Sequence, residues 1–92
     1  MTLGSDRTDI LRIASAHGAS NLRVFGSFAR GEQSPESDVD LIVDMESGRS
    51  LLDLVALGLE LEALLHRKVD VLTEAGLHPA VRESILAEAR PL

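Results

Sequence analysis

A chain of 92 residues, 45% apolar and 26% charged, has the composition of a globular protein with material for one hydrophobic core and not for two. Fifteen acidic residues against nine scattered basic ones leave a net charge of −6, and tryptophan and tyrosine are absent. A long nucleic acid is therefore disfavoured as a ligand, because it calls for a basic face and single strands call for stacking aromatics.

In chain order, residues 6–17 place Ile10, Leu11, Ile13 and Ala14 at helical spacing, opened by Ser5 or Asp6 as N-cap and closed near Gly18. Leu22 to Phe25 forms a short strand ending at Gly26, and a brief helix can begin at Ser27. The polar stretch EQSPES, residues 32–37, contains Pro35 and is a loop. DVDLIVD, residues 38–44, is a second strand, and residues 45–49 form a turn. Ser50 opens a long helix to about His66, with Asp53 placed as its capping-box partner. KVDVLT, residues 68–73, alternates as a third strand. His78 and Pro79 start a last helix, with proline at its favoured first position, and Pro91 stops it. This order predicts an α/β (α+β) fold, a small sheet covered by helices, in a single domain spanning residues 1–92. With no cysteine, no leader-like start and no apolar run near the roughly 18 residues of a membrane span, the expected setting is cytoplasmic and away from any membrane.

The pair of carboxylates in DVDLIVD needs a reason. Strand alternation sends Asp38 and Asp40 to one face and Val39, Leu41 and Val43 to the other. Two residues apart on a strand is about 6.5 to 7 Å, close enough for two carboxylates to converge on one cation. Asp70 stands opposite Val69 and Val71 in the third strand, so neighbouring strands would gather three aspartates on one side of the sheet. Such a trio repels itself without a cation and raises its own pKa values. With Mg²⁺, an oxygen-seeking ion, it forms a site with positions left open for phosphate oxygens. The Gly26–Ser27 turn is complementary: glycine permits close backbone approach, its amides favour anions, and the serine hydroxyl adds a hydrogen bond. Arg30 either assists these groups or pairs with Glu32, Glu36 or Asp38.

Gly26–Ser27, ten intervening residues, Asp38-Val39-Asp40 and a lone aspartate in a later strand resemble the DNA-polymerase-β-type nucleotidyltransferase superfamily. GSFARGE followed by SDVDLIVD is similar to its smallest members, the minimal nucleotidyltransferase (MNT) domains, over almost the whole chain. The resemblance implies a small mixed sheet flanked by helices, two Mg²⁺ ions and ATP as nucleotide donor. Position by position it gives Gly26 and Ser27 to the triphosphate, with Arg30 as an additional nucleotide contact. It gives Asp38, Asp40 and Asp70 to the metals and to catalysis, the last helping to activate the attacking hydroxyl. MNT proteins resemble the antitoxins of HEPN–MNT toxin–antitoxin pairs. The implied reaction is transfer of AMP from ATP to a tyrosine hydroxyl of the HEPN RNase, inactivating it within a hetero-oligomer.

Other residues carry blander readings. Asp44 shares the parity of Asp38 and Asp40 but belongs to the turn, and Lys68 is a solvated lysine on the strand face of Asp70. His17, His66 and His78 lack metal-ligand spacing and suit helix ends. The helix LLDLVALGLELEALL has leucine or valine around most of its circumference. That surface either packs on the terminal helices or forms an exposed patch of the kind that binds a partner, with Gly58 permitting close approach. Two other functions compete with adenylyl transfer to a toxin. One is an antitoxin acting by direct binding without catalysis; the other is nucleotide transfer to a small molecule such as an aminoglycoside.

Overall fold

In the strand β2 (Val39–Met45), Val39, Leu41 and Val43 are fully buried, as the alternation requires, while Asp40 is half-buried and Asp44 exposed. The computed structural model describes residues 3–92. A 3₁₀ turn (Leu3–Asp6) leads into helix α1 (Arg7–Ala16), followed by strand β1 (Ala19–Phe25) and a single-turn helix α2 (Ser27–Arg30). After β2 come helix α3 (Leu51–Leu65), strand β3 (Val69–Leu72), a 3₁₀ turn (Glu74–Gly76), helix α4 (Pro79–Glu88) and a two-residue strand β4 (Arg90–Pro91).

The sheet has the order β3-β2-β1-β4. β1 runs antiparallel to both β2 and β4, whereas β3 is parallel to β2, so the sheet is mixed. The parallel step needs a crossover, and α3 provides it. The helix turns Leu57, Leu61 and Leu65 onto the sheet, where they join Ile10 and Ala14 of α1 and the apolar face of β2 in one aliphatic core. At the start of α3 the Asp53 carboxylate accepts the Ser50 N–H at 2.8 Å, the reach-back expected of a capping box.

Three features depart from the reading of the sequence. β1 begins at Ala19, not Leu22, because it carries an irregularity at Asn21, whose φ of 50° breaks the register between Ser20 and Arg23. Asp38 lies just before β2 instead of inside it. The last helix ends at Glu88, and Pro91 belongs to an added edge strand, where a missing N–H costs no ladder bond. Gly58 faces inward: a Cβ there would meet Val69 O at 3.7 Å and Val71 Cγ2 at 3.8 Å, so its approach is to β3 of its own chain. The outer side of α3 is bare, with Leu52 79% and Leu59 62% exposed. Among the described residues no helix is long and apolar enough to cross a membrane.

Candidate active site

β1 ends in a turn that only glycine fits. Gly26 has φ 73° and ψ −151°, a region closed to residues with a Cβ, and a Cβ built there would run into the Asp40 carboxylate. The reason for the crowding is the β1–β2 pairing, which sets Phe25 opposite Asp40 and so carries Gly26 over the same carboxylate. Ser27, half-buried, is the first residue of α2, whose turn closes through Ala29 N–H and Arg30 N–H donating to Gly26 O at 3.1 and 3.2 Å.

The parallel pairing of β2 with β3 aligns Asp40 with Asp70 as direct cross-strand partners. Asp38, exposed at the entry to β2, lies near enough to act on Asp40 electrostatically. Burial holds the Asp40 carboxyl above its ordinary value of 3.8, and the negative charges of Asp70 and then Asp38 push it further the same way. Arg30 and Lys68 pull it back only in part. Lys68 Nζ stands 3.9 Å from Asp70 Oδ1 on a side chain that is mostly exposed. The structure therefore brings Asp38, Asp40 and Asp70 to one end of the sheet beside Gly26 and Ser27. Among the described residues, however, no group of three His, Cys, Asp or Glu side chains is drawn together as a formed metal cage. The donor set is all carboxylate oxygen with surplus negative charge, which suits a hard divalent cation such as Mg²⁺.

Arg30 does reach into this region, though with neither Glu36 nor Asp38. Its Nε donates to Glu32 Oε1 at 2.8 Å and its Nη1 to Glu88 Oε1 at 2.8 Å. The same Glu88 oxygen accepts the Gly26 N–H at 2.7 Å. Two further residues had no signal in the sequence. Glu88 lies in a helix with no motif, and Arg67 fixes the loop that carries Asp38. Arg67 Nη1 donates to Ser37 O at 3.0 Å and Ser34 O at 3.3 Å while its guanidinium stacks on Phe28, 5.0 Å from the ring centre. Beside Asp70 an open apolar groove of about 350 Å³ runs between α3 and β3. Asp44 is engaged elsewhere, accepting from Asn21 Nδ2 at 3.0 Å and Arg23 Nη2 at 3.1 Å. His78 caps α4, its Nδ1 accepting the Ala80 N–H at 3.0 Å, as expected from its place.

A family model described as a nucleotidyltransferase domain matches residues 9–92. The chain belongs to the nucleotidyltransferase family. It is 44% identical over 89 residues, 97% of this chain and 96% of the relative, to the candidate protein adenylyltransferase MJ0435 of Methanocaldococcus jannaschii. It is 41% identical over 71 residues, 77% of this chain and 72% of the relative, to the protein adenylyltransferase MntA of Thermococcus cleftensis. A solved structure described as a candidate minimal nucleotidyltransferase superposes with a TM-score of 0.85 at 48% identity, covering 100% of this chain and 97% of that one. A toxin–antitoxin structure with AMP-PNP shares the fold, with a TM-score of 0.79 at 17% identity over 94% of this chain and 71% of the other. This nucleotidyltransferase is thus a minimal one, a mixed four-stranded sheet with its helices.

Proposed function

We propose that this nucleotidyltransferase acts as one domain that transfers AMP from ATP to a hydroxyl, a tyrosine, of a HEPN-type RNase toxin, and so serves as its antitoxin. The single observation that carries the reading is the convergence of the Gly26 turn on Asp40, with Asp70 aligned beside it. An amide-bearing turn against a carboxylate cluster is what a metal–triphosphate needs, one side for the phosphate oxygens and the other for the cation. Relatives named as protein adenylyltransferases support the protein acceptor, and the fold shared with toxin–antitoxin structures supports the toxin.

In this reading Gly26 and Ser27 orient the triphosphate and Arg30 adds charge to its phosphates. Asp38, Asp40 and Asp70 would hold Mg²⁺, which when bound supplies charge stabilisation of the attacking and leaving oxygens. The acceptor oxygen forms a bond to the α-phosphorus, the bond to the β-phosphate oxygen breaks, and pyrophosphate leaves. Asp70 takes the proton of the attacking hydroxyl. The contribution of the chain is mostly positioning within a half-buried site.

Incubation with labelled ATP, Mg²⁺ and the toxin tests this. Label should pass to the toxin with wild-type protein and fall at least about 100-fold with Asp38→Ala/Asp40→Ala; equal labelling by the two proteins rejects the proposal. The bare leucines of α3 favour a second reading, neutralisation by binding alone. Under it the double variant would still silence the RNase.

A further inference from the structure

The carboxylate of Glu88 sits where an anion of the substrate would be expected. One oxygen, Oε1, receives both the Gly26 N–H at 2.7 Å and Arg30 Nη1 at 2.8 Å. Its place is not an accident of a loose side chain, because the sheet fixes it. β4 pairs Arg90 with Val24 and Pro91 with Arg23, and carrying this antiparallel register two residues further sets Glu88 opposite Gly26. The chain end is held in turn: Leu92 N–H donates to Leu22 O at 3.1 Å and Arg7 Nε donates to Leu92 O at 3.0 Å. Glu88 thus leaves α4 aimed at the turn, with its side chain 31% exposed and that of Arg30 50% exposed.

We propose that Glu88 is a resident stand-in for a phosphate oxygen, closing the Gly26–Arg30 seat until a nucleoside triphosphate displaces it. The proposal rests on the assignment of the Gly26 turn to the triphosphate and adds to it a regulator of that same site. A seat with an amide and a guanidinium converging on one point takes a single anionic oxygen, and charge-assisted hydrogen bonds of this kind are strong enough to compete. Since Glu88 is tethered by β4, it returns whenever the seat empties, and apparent nucleotide affinity is reduced by the fraction of molecules in which it is seated. Anything that draws the C-terminal strand away from β1 would open the seat, so nucleotide binding and the anchoring of residues 90–92 are coupled.

Calorimetric titration of the full chain with AMP-PNP and Mg²⁺, in parallel with thermal melts, tests the proposal. Glu88→Gln keeps the shape and removes the charge, and it should bind the analogue about three- to tenfold more tightly than wild type. Should that variant not fold, Glu88→Asp, one methylene too short to hold the seat, carries the same prediction. Equal or weaker binding with a lowered melting temperature means that Glu88 is a structural strap, and the proposal is overturned while the transfer reading stands. No binding by wild type or variant overturns both.

Discussion

Asp40 is the residue on which the site turns, since it touches every other part: Gly26 above it, Asp70 across from it and Asp38 before it. Its folded-state pKa is raised, so between its ordinary value of 3.8 and that higher value the folded protein binds more protons than the unfolded chain. Stability of the metal-free protein therefore falls as pH rises through this window, and the ionised carboxylate is a cost at neutral pH. Asp40→Asn should raise the melting temperature of metal-free protein at pH 7, and this gain should vanish toward pH 3. Mg²⁺ should raise the melting temperature of wild type more than that of the variant. A variant that melts below wild type at pH 7 without metal would contradict this account. The alternation of DVDLIVD already announced a carboxylate pair at this level, and the Gly26–Ser27 turn was equally legible, because both depend on local backbone geometry. That Gly26 is required on account of Asp40 itself was not legible, since the clash arises only across the β1–β2 pairing.

At the scale of the element, α3 has two faces that its composition does not separate. Leu57 is completely buried against the sheet and Leu59 is 62% exposed, although both are leucines in one uninterrupted apolar run. Leu57→Ala should cost about 2–5 kcal/mol through lost burial and the cavity left behind. Leu59→Ala should change stability by no more than about 0.5 kcal/mol. Urea unfolding of the two variants checks the pair, and comparable losses would mean that the outer face is covered. The existence of α3 and of all four strand or helix segments around the site was readable from periodicity and caps. β4 was not, because a two-residue strand has no period, and its Pro91 carried the opposite signal, a helix stop.

Taken whole, the molecule combines a carboxylate-rich end of the sheet with a bare apolar helix face, and the two are joined by the groove beside Asp70. If the partner docks there, replacing Leu52 and Leu59 together by glutamate should leave the melting temperature and AMP-PNP binding unchanged while abolishing co-purification with the toxin. Retention of the toxin by that variant would place the interface elsewhere.

The sequence by itself determined which residues hold the chemistry: a glycine–serine turn, an aspartate pair on one strand face and an aliphatic core behind them. Strand alternation and the turn's demand for glycine act over a few residues, so they are written in the order of the chain. Only the tertiary structure decided that Asp70 stands beside Asp40 and that Glu88 fills the turn from 62 residues away. Those contacts follow from strand order and register, which are set by how the faces of separate elements pack together and leave no periodic trace in either segment.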